Sequence, residues 1–295
     1  MAAAVVTGGF PSRRARGPRG ARLRRFLRRF GRDRAAVAGT AIIGTVVLSS
    51  LLAPLFGLPA PNASVDTMRM APPGTLFLLG ADEQGRDILS RLVWGGRISL
   101  LVGTAPTVIA ALVGLLIGLP AAYAGGMLDL VAMRVMDILF AFPMVLLAVA
   151  VAGVLGPGII NQVVAIAVVL IPYTTRVVRN VVVAERQREY VEAARAQGAN
   201  ARRIIGRHLL PNVLGPLIVY SSSMLGLMIV AGSGLSFLGL GVQPPTPDWG
   251  TMVASGKNVL QVAPHVAAIP GLVIMTVAVA FNYIGDGFRD AMMVR

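Results

Sequence analysis

The chain has no cysteine in 295 residues, which excludes a disulfide framework, thiolate metal ligation and a thiol nucleophile. Histidine is scarce: His208 and His265 are the only two. Charge is scarce as well, at 14% of residues against 55% hydrophobic, far too apolar for one soluble domain. The chain therefore reads as an integral membrane protein. Acids are outnumbered, 13 against 27 basic residues, and Lys257 is the only Lys. Such a basic balance raises nucleic acid as a partner, but the positive charges sit beside apolar runs, as insertion into a membrane requires, and we expect no nucleic-acid partner. A nucleotide-binding loop is missing too. Gly256 and Lys257 are followed by Asn258, and Thr251 stands where Gly-x4-Gly-Lys-Ser/Thr needs its first Gly.

What is present is a series of apolar runs, each near the 20 residues that cross a bilayer: about 35–56, 98–122, 135–155, 159–182, 213–235 and 266–284. Six transmembrane helices are predicted in an all-α protein. Pro120, Pro143 and Pro172 would kink or end helices there. The first run exceeds the core of a signal peptide, so Arg24 and Arg25 do not mark a twin-arginine leader. Assigning Arg and Lys to alternate sides gives 22 against 5, and 11 against 5 without the Arg-rich start, so both termini are predicted to be cytoplasmic. The resulting plan is an Arg-rich cytoplasmic tail over 1–34 with a surface helix near Arg25 to Phe30, a first transmembrane helix over 35–56, an extracytoplasmic loop over 57–96, a membrane core over 97–288 and a cytoplasmic C-terminus over 289–295.

One segment breaks this pattern. From Glu189 to Pro211 the chain is polar yet helix-patterned, with Tyr190, Ala193, Ala194, Gly198, Ala201, Ile204 and Ile205 on one stripe and charges around the other side. Gly198 and a capping Asn200 predict a helix, a tight turn and a short second helix that Pro211 stops. Two readings fit: an amphipathic helix on an anionic membrane face, or a docking face for a partner protein. A face made mostly of Ala and Gly gains little in lipid and permits close approach by a partner backbone.

No catalytic constellation is visible. The two His fall on opposite sides of the predicted membrane, so they cannot share a metal. Asp129, Asp137, Glu185 and Asp286 lie at or near the ends of apolar runs and read as interfacial or capping groups. With no ionisable group at mid-membrane, ion-coupled transport is not expected. No catalytic, cofactor-binding or metal residue is predicted.

The string Glu192-Ala193-Ala194, with Gly198 four residues on and Leu210-Pro211 after a fixed gap, resembles the EAA loop of permease subunits in bacterial ATP-binding-cassette (ABC) importers. His208, where many members carry Ile, points to the dipeptide, oligopeptide and nickel branch. Gly80 to Arg91, Gly234 to Gly250 and Phe281 to Asp290 resemble that branch too, with Ala81 in place of a common Thr. The Gly80 to Arg91 string reads first as structural and second as a contact for a binding protein.

The resemblance implies a type I importer fold, with five helices over 97–288 and a cytoplasmic coupling loop at 186–211, in the bacterial cytoplasmic membrane. It implies a homologous second permease, forming a heterodimer, two cytoplasmic ATPase subunits that carry ATP and Mg, an extracytoplasmic binding protein, surrounding membrane lipid, and import of peptides. ATPase docking would fall to Glu192, Ala193, Ala194, Gly198, Arg202, Ile205, Leu210 and Pro211. Glu192 would make polar contacts, Ala193 and Ala194 would pack closely, and Gly198 would form the turn. A nickel or other small-solute permease, a channel and a non-transporting membrane anchor are the alternatives.

Overall fold

The computed structural model describes residues 19–74 and 76–292. The first 18 residues of the predicted tail, and Arg295 with its two neighbours, lie outside the described residues. Among the described residues eleven α-helices follow in order: α1 Arg19–Phe30, α2 Arg34–Leu51, α3 Ile88–Ala124, α4 Gly126–Phe140, α5 Met144–Leu155, α6 Ile159–Arg186, α7 Glu189–Ala196, α8 Ala201–Ile204, α9 Leu210–Phe237, α10 Trp249–Gly256 and α11 His265–Met292. Among the described residues, five stretches are long and apolar enough to cross a membrane: α2, α3, α6, residues 201–237 and α11. A sixth forms if α4 and α5 count as one span.

That third span departs from expectation. Instead of one rod over 135–155, α4 and α5 meet at 89°, with Pro143 preceding the first residue of α5. Proline cannot donate to the preceding turn, so the helix breaks there. The second span also begins earlier than expected, at Ile88 and not near 98, so the end of the predicted 57–96 loop is helical. Its 37 residues extend ~55 Å, well beyond a ~30 Å hydrocarbon core. Asp87 starts it, accepting bonds from the backbone N–H groups of Leu89 and Ser90.

The helices approach closely where side chains are small. A Cβ on Gly118 of α3 would lie 2.8 Å from the Thr175 carbonyl of α6, and Thr174 Oγ1 donates to the Ala110 carbonyl at 2.7 Å. A Cβ on Gly285 of α11 would meet Ser223 of α9 at 2.8 Å. Such contacts suit a medium in which apolar burial alone gives helices no reason to associate. At the base of the bundle Phe26 and Phe30 of α1 stack on Phe288 of α11, with ring centroids 5.7 and 5.3 Å away. The expected surface helix thus exists, and it is pinned to the last span.

At the opposite end polar groups of the Gly80 to Arg91 string and of Asp248 and Trp249 are knotted together with their neighbours. Asp82 accepts the Gln84 and Arg86 backbone N–H groups and the Arg86 Nε at 2.6 Å. Arg91 donates to the Pro61 carbonyl and to Asn62, and Arg97 caps α2 through the Ser50 and Leu51 carbonyls. The Gly80 to Arg91 string therefore has the structural role expected first. Nearby, buried Trp249 donates its indole N–H to the Leu92 carbonyl, and Ser99 Oγ donates to the buried Asp248 carboxylate at 2.6 Å while accepting the Trp249 N–H. Burial raises the Asp248 carboxyl above its usual range, so its acid is sensitive to any lost donor. Ser99→Ala should cost about 1–3 kcal/mol by leaving Asp248 short of a donor and the Trp249 N–H unpaired. Thermal unfolding of the purified protein in detergent should show a lower Tm, and an unchanged Tm would mean that the knot carries no stability.

Candidate functional site

The polar segment is seated by three aliphatic side chains. Val191 of α7, Ile204 of α8 and Leu209 are 0%, 1% and 0% exposed. They join Leu119, Val178, Val182, Val213 and Leu217 in one cluster at the end of α3, α6 and α9. Burying such side chains contributes about 1.5–3 kcal/mol each, enough to hold a short polar helix against the bundle. The turn between the two pieces is at Gly198, with φ +77°, and the Ala199 N–H closes on the Ala194 carbonyl at 3.0 Å. Asn200 caps α8 by accepting the Arg203 N–H at 2.9 Å.

Beyond α8 the chain does not stop. Residues Ile205–Leu209 form a π-turn in which the Leu210 N–H reaches the Ile205 carbonyl, and α9 continues directly. Pro211 lies in the first turn of α9, where a missing N–H costs nothing, so it does not end the second helix as expected. The consequence is mechanical: α8, the π-turn and α9 are one continuous path from the polar segment into a membrane span.

Tyr190 adds a second tie. Its hydroxyl donates to the Glu185 carboxylate at the end of α6 and accepts from Asn212 Nδ2 at 3.0 Å, while that same Nδ2 donates to the His208 carbonyl at 2.7 Å. Burial and the neighbouring Glu185 carboxylate push the phenol up to about 12, so it stays protonated and keeps donating. Arg186 donates to the Ala122 carbonyl at 2.7 Å, and the Arg195 guanidinium sits 5.5 Å from the Tyr123 ring centroid. Tyr190 had counted only as an apolar stripe member; its hydroxyl role could be anticipated from Asn212 and Glu185, but not located. Val191 and Leu209 were missed because they fall off the stripe.

The sequence-predicted residues divide accordingly. Glu192, Ala193, Gly198, Arg202 and Pro211 are exposed, and Ala194 is half-buried. Ile205 and Leu210 instead pack against the buried cluster, as does Ile204, so this part of the stripe faces the protein's own core. Among the described residues, no oppositely charged side chain lies within 4.0 Å of Glu189, Glu192, Arg195, Arg202 or Arg203. The outer face is therefore a charged rim around small residues, held rigidly from behind.

One broken span, a helical bundle and an outward polar element continuous with another span define the class as a multi-span helical membrane protein. Residues 85–292 match the family described as binding-protein-dependent transport system inner membrane component, and the chain belongs to it, as an ABC transport permease of the bacterial inner membrane. Residues 22–73 match the N-terminal transmembrane domain of oligopeptide transport permease C. A di/tripeptide transport system permease protein of Pseudomonas aeruginosa is 42% identical over 276 residues, covering 92% of this chain and 91% of that protein. A dipeptide transport system permease protein of Alkalihalophilus pseudofirmus is 39% identical over 269 residues, 91% and 88% of the two chains. A glutathione transport system permease protein of Pectobacterium atrosepticum is 40% identical over 270 residues, 91% and 90% of the two chains.

Gly198 is required for its backbone conformation, φ +77°. A Cβ there would meet nothing within 4 Å, so crowding is not what excludes a side chain; the left-handed backbone is. Gly198→Val should strain the turn by about 1–3 kcal/mol and abolish transport while leaving membrane insertion intact. Gly198→Asn, which tolerates the left-handed region, should retain most of it. Uptake by membranes carrying each variant checks this; equal activity of the two would remove the conformational argument.

Proposed function

We propose that this chain forms half of the transmembrane pathway of a peptide importer, with ATP hydrolysed on separate subunits. The observation that carries the reading is the identity of about two residues in five, along nine-tenths of the chain, with permeases named for di/tripeptides, dipeptides and glutathione. The exposed rim of α7 and α8 supports its mechanical part.

In this reading two cytoplasmic ATPases, which hold ATP and Mg, dock on the coupling segment of this chain and on that of a homologous second permease. Glu192 and Arg202 meet polar groups of the ATPase surface, while Ala193 and Ala194 let its backbone approach. Gly198 aims the element. When the ATPases close they push α7 and α8, and the push travels through Ile205, Leu210 and Pro211 into α9, switching the pathway between inward and outward openings. Both termini are cytoplasmic, as the charge count supports. Substrate arrives from an extracytoplasmic binding protein, so direction is inward and specificity resides largely in that protein.

Mild-detergent isolation of the tagged chain from its native membrane should recover one or two ATPases bearing a phosphate-binding loop and a second multi-span permease. Proteoliposomes of that complex with its binding protein should take up dipeptide only with ATP. Because the chain has no cysteine, Ala196→Cys gives a single label that should react from the cytoplasmic side. A chain recovered alone under conditions that preserve other complexes, or Cys labelling at 196 from outside, would overturn the scheme.

A further inference from the structure

Two ion pairs join α4 to α6, and they differ. Arg179 and Asp129 make two hydrogen bonds, at 2.7 and 2.6 Å, and the Asp129 side chain is 16% exposed. That pair suffices to fasten the two helices. Arg176 and Asp137 make a single bond at 2.6 Å, and their side chains are 34% and 49% exposed. One carboxylate oxygen and most of the guanidinium N–H groups there have no partner among the described residues. The guanidinium lies 3.9 Å from the centroid of Phe140, whose ring sits 4.7 Å from that of Tyr173.

Depth makes the second pair unusual. Helix α6 has 28 residues and extends ~42 Å, and Arg176 lies ~26 Å from its Ile159 end and ~15 Å from its Arg186 end. A ~30 Å hydrocarbon core that begins at Ile159 puts Arg176 ~4 Å inside its far edge, and one that ends at Arg186 puts it ~15 Å inside. Half-exposed charges at such depth face water or protein in place of lipid. The buried face of α6, with Thr174, Thr175, Val178 and Val182, points to the bundle, and Arg176 lies off it.

We propose that Asp137 and Arg176 form a contact site for zwitterionic peptides in the translocation pathway, with Phe140 and Tyr173 as its apolar wall. This rests on the peptide-importer reading. The peptide carboxylate takes the free N–H groups of Arg176, and its ammonium takes the free oxygen of Asp137. One ion pair is exchanged for two, and no buried charge is left unpaired, so entry and release are both cheap, as a pathway needs.

The test uses the whole complex in phosphatidylglycerol nanodiscs, with Asp137→Cys as the only cysteine of this chain and co-purification of the ATPases as the check on assembly. A water-soluble methanethiosulfonate reagent should label position 137. Alanyl-alanine should slow labelling at least threefold through Arg176, N-acetyl-alanyl-alanine amide should not, and adding Arg176→Gln should abolish the slowing. No labelling, equal slowing by both probes, or slowing that survives Arg176→Gln would overturn the site. So would slowing produced by half phosphatidylethanolamine in the disc, which would assign the same charge pair to a lipid headgroup. Failure of the unmodified complex to take up peptide with ATP would instead overturn the importer reading.

Discussion

Burial of Val191, Ile204 and Leu209 against Val178, Val182 and Val213 is the constraint on which the rest depends. Without it, α7 and α8 would be short polar helices of eight and four residues with no stability of their own. With it, they become a rigid outward element whose displacement the continuous path into α9 must share. The Tyr190 hydroxyl, bonded to both Glu185 and Asn212, ties the end of α6 to the start of α9. Packing fixes the position of the element, and the hydrogen bonds fix its angle.

The same economy governs charge elsewhere. At the outer end of the bundle several polar groups are met by more than one partner: Arg97 covers the open carbonyls of α2, and Asp248 is met by Ser99 and the Thr251 N–H. Asp82 gathers three donors in the same way. Asp137 and Arg176 differ from these in being half-exposed and joined by a single bond, with hydrogen-bonding capacity left over.

Much of this was legible in the sequence because hydrophobic length and Gly/Pro punctuation are local signals. The spans, the turn at Gly198, the cap at Asn200 and the helix near Arg25 to Phe30 all follow from residues within a few positions of each other. What failed depended on distant partners. The early start of α3 is held by Ser90 and Arg91 bonding to Pro59, Pro61 and Asn62 some 30 residues away. The break before Pro143 follows from its missing N–H, but no local signal in the sequence gives its 89° angle. A helical stripe cannot say whether its partner is another protein or the chain's own core, and Ile204 and Ile205 of that stripe meet the core. Pro211 does not end the segment because it falls just past the π-turn, in the first turn of α9, where its missing N–H is tolerated.

The most direct test of the docked coupling face is the reactivity of a single cysteine at Ala193, an exposed position opposite the buried anchors. Its rate with a thiol reagent would be measured in membranes holding the assembled transporter and in membranes stripped of peripheral subunits. The account predicts at least tenfold slower reaction in the assembled state, with a cysteine at Thr40 on α2 unaffected by stripping. Equal rates at position 193 in the two membranes, with the ATPases demonstrably bound, would contradict it.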